Sequence, residues 1–383
     1  MEKLFTAIGL MSGTSGDGVD ASLIKTDGND KFELISNHYF EYPAEIFDKF
    51  HNLVSRLQYK EDLEKNAKDI DGLERETTLF TAKIINEILK NYSQSIDLIG
   101  YHGQTIYHDA KNKVTKQIGN ANLLSNLTHQ KVIFNFREND INNGGQGAPL
   151  TPIFHKMLSN KFNLNPSIFI NIGGITNATT IQNADNIFAS DIGPGMCLID
   201  KWIRKKTQKK FDENGDIAFQ GKVNMNLDYE LENFYYSVNK NSKYNSIKSF
   251  STNDFDINFV RGLSLEDGAA TLSQYTVEVI LDYIKNTIAN YEGEKFNPNI
   301  ILCGGGRKNK FIINNLEKQL EQLNLFNEKK NKIKLVDNFG VDGDFVESQA
   351  FAYLSVRSLL ELPITFPNTT GCIKPVTGGN STR

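Results

Sequence analysis

The stretch from Gly9 to Asp20, Gly-Leu-Met-Ser-Gly-Thr-Ser-Gly-Asp-Gly-Val-Asp, gathers residue types that can hold an anion. Apolar runs at 4–10 and 19–24 flank it, which is the pattern of a β-hairpin. Gly13, Gly16 and Gly18 free the backbone to bring N–H groups close to a phosphate. Ser12, Thr14 and Ser15 add hydroxyls, and Asp17 and Asp20 add the carboxylates that a Mg²⁺-bound phosphate requires. Taken alone, the stretch also fits a polar hairpin turn.

Further groups with chemistry follow where apolar strands end. A strand at 97–101 runs into His102-Gly103-Gln104-Thr105, placed at the strand edge where open α/β sheets bind ligands. A strand at 131–136 leads to Arg137 and Asp140, candidates for polyol or anion contacts, and to the glycine-rich loop 143–150. The opening pattern then recurs. A strand at 168–172 enters Gly173-Gly174-Ile175-Thr176-Asn177 and returns at 178–181. A third strand, 187–189, ends in Asp191-Ile192-Gly193-Pro194-Gly195. A strand at 299–303 feeds Gly304-Gly305-Gly306, and strand, triglycine, helix suits a close backbone approach to a nucleotide. Glu347 falls in the first turn of a helix expected at 345–360.

Helical spacing is expected at 46–57, 70–89, 152–158, 198–205 and 272–288, and a strand at 32–42. Residues 117–122 read as a polar turn, 332–336 as a strand, and the tail from Pro363 as loop. The two hairpins, one early in each half, suggest a duplicated fold whose phosphate-binding tips face a cleft. At 383 residues the chain can form two α/β domains. A net charge of −4 argues against a nucleic-acid footprint. The 3 cysteines have no paired spacing, which argues against a disulfide framework or zinc site and suits a reducing compartment. With no membrane-length apolar run and no signal-peptide pattern, a soluble cytoplasmic protein is expected.

The ordered motifs resemble those of the anhydro-N-acetylmuramic acid kinase family. The match runs through Met11-Ser12-Gly13-Thr14-Ser15-x-Asp17-Gly18-Val19-Asp20, His102-Gly103-Gln104-Thr105, Phe136-Arg137 with Asp140, and Gly144-Gly145-Gln146-Gly147-Ala148-Pro149. It continues through Asn171-Ile172-Gly173-Gly174-Ile175-Thr176-Asn177, Asp191-x-Gly193-Pro194-Gly195, and Cys303-Gly304-Gly305-Gly306 with Asn309. Each motif is weak alone; the series, covering nearly the whole chain in order, is specific.

The resemblance implies a two-domain actin-like ATPase (ribonuclease-H-like) α/β fold with a central ATP cleft. The first domain is expected at 1–130 plus about 363–383, and the second at 131–362. It further implies an ATP- and Mg²⁺-dependent kinase, a homodimer, that opens 1,6-anhydro-N-acetylmuramic acid with water and phosphorylates O6, a step in peptidoglycan recycling. On the matching positions, Asp191 is the implied general base. Gly13, Thr14, Ser15, Gly16, Asp17, Gly18, Val19 and Asp20 hold phosphates, with Asp17 helping to place Mg²⁺. Gly173, Gly174 and Thr176 form a second phosphate hairpin, and Gly304, Gly305 and Gly306 pack against adenosine. His102, Gln104, Arg137, Asp140 and Glu347 line the sugar pocket.

The chain departs from the family pattern at several points. Gly16 stands in place of Leu, which is expected to loosen the phosphate turn; Ile192 replaces Thr and Met196 replaces Asn, removing polar groups beside the base. The segment 248–254 lacks the family's Arg, and Gly268-Ala269 replaces Val-Gln. Two other readings share the motifs: a kinase of another hexose or acid, and a chaperone-like or filament-forming ATPase. The chaperone reading expects a further substrate-binding module, for which 383 residues leave little room.

Overall fold

The computed structural model describes residues 3–13, 15–183, 186–239, 247–291, 296–323 and 333–382. The chain forms two compact units, Met1–Lys161 with Phe345–Arg383, and Phe162–Asp344.

In the first unit, β1 (Phe5–Ser12) and β2 (Gly18–Thr26) make the expected antiparallel hairpin, and β3 (Phe32–Glu41) pairs with β2. The helices α1 (Ala44–Arg56), α2 (Glu61–Lys65) and α3 (Ala67–Asn91) cross over to β4 (Leu98–Asp109), which lies parallel to β1. A parallel neighbour requires such a crossover. β5 (Val114–Ile118) pairs with the far half of β4, and α4 (Ala121–Thr128) leads to β6 (Val132–Phe134), parallel to β4. Then come α5 (Glu138–Asn142) and α6 (Pro152–Lys161). The chain returns to this unit as α11 (Val346–Leu359), α12 (Pro367–Thr370) and β12 (Asn380–Ser381), which pairs with β6. The order is β12-β6-β4-β1-β2-β3.

Alternating side chains divide this sheet between two layers. Ile8, Leu10 and Leu23 meet Phe50 and Leu53 of α1, Leu73 and Ile85 of α3 and Leu124 of α4. On the other face α11 lies against β1, where a methyl at Gly9 would sit 1.9 Å from the Ser348 carbonyl oxygen.

In the second unit, β7 (Ser167–Ile172), β8 (Ile175–Ile181) and β9 (Ile187–Pro194) form an antiparallel meander. After α7 (Cys197–Lys206), α8 (Asn226–Asn239) and α9 (Leu265–Ala289), β10 (Asn299–Cys303) adds parallel to β7. α10 (Lys310–Gln322) precedes β11 (Ile333–Leu335), parallel to β10, giving the order β11-β10-β7-β8-β9. Ile168, Ile170, Leu302, Trp202 and Leu281 share its core. The substitution of Gly268 has a packing reason: a methyl there would lie 2.4 Å from the Trp202 indole, which rests on α9.

Both units thus repeat one plan, an antiparallel triplet with two parallel strands added beside its first strand. This is the ribonuclease-H-like order of actin-like ATPases, as expected. The domain boundaries differ from expectation. Residues 131–161 and 345–362 belong with the first unit, because β6 extends its sheet and α11 covers one face. Three local readings also change. β4 continues through His102–Thr105 to Asp109, residues 117–122 begin inside a strand, and β9 runs past Asp191 to Pro194. Among the described residues, no helix is long and apolar enough to cross a membrane.

Candidate active site

In the first unit the tip of the β1–β2 hairpin is a closed, braced turn. Gly16 donates its N–H to the Gly13 carbonyl at 3.1 Å. With φ at +62° it occupies the left-handed region, and a methyl would lie 2.3 Å from the Phe50 ring. The expected loosening at Gly16 is therefore corrected: leucine's bulk would meet Phe50, and glycine lets that ring close on the turn. Ser15 Oγ donates to Asp17 Oδ1 at 2.7 Å, orienting the half-buried carboxylate at the tip. Asp20 on β2 is half-buried; with Asp17 and Glu41 it adds to burial in pushing the Tyr39 phenol up to about 12. Val19 turns its side chain into the core, so only its backbone is available to a ligand. Thr14 lies outside the described residues.

Gln104 is not a free sugar contact. Its Nε2 donates to the Gly13 carbonyl at 2.9 Å, and its Oε1 meets the Ser12 hydroxyl. Ser12 Oγ also lies 2.7 Å from the Gly18 carbonyl. The buried Gln104 amide thus ties β4 to both ends of the tip. Asp140 is corrected in the same way. Its Oδ2 accepts the Gly147 N–H at 2.7 Å and its Oδ1 the Thr370 hydroxyl at 2.6 Å. At 1% exposure it anchors the loop 144–147 instead of facing a ligand.

His102, Arg137 and Glu347 are brought together. Arg137 Nε donates to His102 Nε2 at 3.0 Å, and the other ring nitrogen, Nδ1, lies 2.8 Å from the Gly103 carbonyl. His102 is therefore neutral with its proton on Nδ1. Burial, then the Arg137 charge, hold its pKa well below the usual imidazole range. Arg137 also donates to the Gly147 carbonyl at 2.7 Å. Burial raises the Glu347 carboxyl, and the Arg137 guanidinium opposes that shift. The result is a cation with a fixed direction, beside a neutral ring and the Glu347 carboxyl.

In the second unit, Asp191 is 9% exposed on β9. Its Oδ2 accepts the Phe250 N–H at 2.9 Å, and its own N–H donates to the Lys248 carbonyl at 3.1 Å. The segment that lost the family's Arg therefore holds this carboxylate through its main chain. A bulge adds Ile192 between Gly193, opposite Thr176, and Asp191, opposite Asn177. Bulges of this kind re-aim a neighbouring side chain. Ile192 points into the core and Met196 packs against it, so neither residue type alters the face that carries Asp191.

The second glycine tip is organised by the start of α7. Met196 donates to the Gly173 carbonyl at 2.8 Å, and Gly195 and Cys197 donate to Gly174 at 3.0 and 3.2 Å. In a planar trans peptide the next N–H points the opposite way, so the amides of Gly174 and Ile175 face away from α7. A methyl at Gly195 would lie 2.2 Å from the Gly173 oxygen. Thr176, expected as part of this phosphate hairpin, is buried under the turn at 0% exposure, its hydroxyl 3.5 Å from the Pro194 carbonyl.

The triglycine divides by role. Methyls at Gly304 and Gly306 would lie 2.2 Å from Asn171 Oδ1 and 2.3 Å from Ile172 Cγ2, so both glycines pack on β7. A methyl at Gly305 would meet nothing within 4 Å, so this glycine is the open surface of the three. Arg307, missed in the sequence, is 5% exposed and bonds Asp337, Asp342 and Asp344 at 2.7, 3.3 and 2.6 Å. It also donates to the Gly304 carbonyl at 3.1 Å. An arginine directly after a triglycine, followed by a run of aspartates, was the available signal.

A sequence model of the anhydro-N-acetylmuramic acid kinase family matches residues 5–383. The chain belongs to this family. It is 46% identical over 383 residues to the anhydro-N-acetylmuramic acid kinase of Pelagibacter ubique, covering 99% of this chain and 98% of that one. It is 36% identical over 391 residues to the same-named protein of Agrobacterium fabrum, covering 99% of each.

Proposed function

We propose that this member of the family phosphorylates 1,6-anhydro-N-acetylmuramic acid at O6 with ATP while water opens the anhydro bridge. The products are N-acetylmuramic acid 6-phosphate and ADP, formed in the recycling of cell-wall sugar. The observation that carries this reading is the family match along residues 5–383, which includes every glycine tip and Asp191.

Asp191 takes a proton from water as the water oxygen bonds to C1. The C1–O6 bond breaks, O6 attacks the γ-phosphorus, and ADP leaves. Such a base needs a fixed direction, and the Phe250 amide supplies it. Phosphoryl transfer itself rests on positioning and charge neutralisation. The hairpin tip 13–20 and the Gly174 and Ile175 amides serve the phosphates, and Gly305 the adenosine. Arg137, held by His102 and faced by Glu347, orients the sugar.

Asp17 fits a Mg²⁺ site held chiefly by phosphate oxygens and water: it offers one oriented carboxylate beside a glycine turn. When bound, the ion would neutralise phosphate charge. A homodimer in the cytoplasm completes the reading.

The test is incubation with ATP, Mg²⁺ and the anhydro sugar in ¹⁸O-water. A sugar 6-phosphate labelled at C1 is the expected product. ATP hydrolysis indifferent to the sugar would overturn the reading in favour of an ATPase.

A further inference from the structure

Asn177 lies directly opposite Asp191 in the β8–β9 ladder, and Asn171 lies directly opposite Asn177 in the β7–β8 ladder. Directly paired residues share one face with Cβ atoms about 5 Å apart. That face is the one turned away from α9, because the alternate residues Ala178 and Thr180 face it: Ala178 sits in the core with α9, and Thr180 Oγ1 lies 2.9 Å from the Tyr283 hydroxyl. A polar row therefore runs from Asp191 through Asn177 to Asn171, whose Oδ1 sits against Gly304.

Within this row one atom is anomalous. Asn177 Oδ1 is buried and has no hydrogen-bond partner among the described residues. A buried unpaired acceptor is costly, and each one calls for an explanation. An ionised neighbour cannot relieve it, since a carboxylate only accepts; a protonated carboxyl can, through its O–H.

We infer that Asn177 is a positioning residue for Asp191: its amide oxygen receives the hydrogen bond of the Asp191 carboxyl once the proton of the attacking water has moved there. The inference rests on the proposed role of Asp191 as base. The balance is simple. Water loses its proton to Asp191 as its oxygen joins C1, and the new O–H on Asp191 turns to Asn177 Oδ1. The unpaired acceptor thus raises the energy of the ionised base and stabilises its protonated form, which increases its basicity.

Among the described residues, the charged groups on α9, which packs against β9, are Glu266, Asp267, Glu278, Asp282 and Lys285, and Lys248 lies on the segment bonded to Asp191. The Lys248 ammonium feels Asp282, and Glu278 accepts from Gln274 at 2.7 Å. Both carboxylates sit on the helix covering the opposite face.

The experiment measures kcat and kcat/KM against pH for the whole chain and for Asn177→Ala. The expected result is a kcat lowered roughly ten- to a hundredfold, with ATP affinity unchanged. The acidic limb of the profile should move to lower pH by about one unit. A structural role would lower activity without moving that limb. In Asn177→Asp the single acidic inflection should split into two, as for a coupled pair. A ¹³C carboxyl titration of Asp191, assigned with Asp191→Asn, reads the same downward shift in Asn177→Ala without substrate. An unmoved limb and an unmoved ¹³C titration overturn the inference, as does wild-type turnover in Asn177→Ala. Absence of sugar phosphate from the wild-type chain would sink the proposed function instead, and the ¹³C titration would still decide the role of Asn177.

Discussion

The Phe250 N–H fixes one oxygen of Asp191, so Asp191→Asn keeps that bond through its amide oxygen and loses its basicity. Turnover should fall by roughly 10²–10⁴, while calorimetry finds ATP binding intact; near-normal kcat would remove the base assignment. Asp200 offers a pH test elsewhere in the same unit. Burial pushes its carboxyl up to about 7, with Arg204 opposing and Asp212 adding to the shift. Its folded pKa exceeds its unfolded value, so its contribution is full below the ordinary carboxylate range and lost as pH rises through 7. Asp200→Asn should therefore gain more stability at pH 8 than at pH 5, by roughly 1–3 kcal/mol in urea melts. An equal gain at both pH values would count against this. At this scale the sequence was partly legible. Asp191, Arg137 and the glycine tips stand out as candidates locally, in residue type and neighbours. Gln104 and Asp140 do not, because their partners Gly13 and Thr370 are distant in sequence, so a polar residue near a motif looked like a ligand contact.

Among the elements, α11 depends on the smallness of β1. With the Ser348 carbonyl 1.9 Å from a methyl at Gly9, Gly9→Ala must push the helix off the sheet. A cost of roughly 1–3 kcal/mol is expected in thermal or urea melts, as for other overpacked cores. An unchanged Tm would show that the helix shifts freely. Gly9 read as the start of a ligand turn because composition does not distinguish a glycine that frees a loop from one that admits a helix. Strand ends were similarly opaque. β5 reads Val-Thr-Lys-Gln-Ile and has little apolar character, and Gly103, with φ at +76°, hid the continuation of β4. The helices at 67–91 and 265–289 were plain, since long apolar periodicity survives without knowledge of the fold.

At the scale of the molecule, the duplicated plan was visible in the two glycine-tipped hairpins, whereas the boundaries were not. A boundary is set by which sheet a strand joins, and β6 carries no mark of that in its three residues, Val-Ile-Phe. Residues 162–344 are continuous and hold a complete five-stranded sheet, so expressed alone they should melt cooperatively by circular dichroism. Removing residues 363–383 from the whole chain takes away β12 and the Thr370 hydroxyl that holds Asp140. That truncation should lower Tm and abolish sugar phosphorylation, and a fully active product would show that the loop 144–147 needs no such anchor.

The return of the chain to its first sheet has a consequence for synthesis. On the ribosome, strands β1–β4 and β6 emerge early, but α11, which covers their second face, is translated only after the whole second unit. The continuous unit can complete itself in the meantime. The earlier half must wait with an apolar surface open to solvent, so a stalled or shortened message would yield a product prone to capture by chaperones or to aggregation.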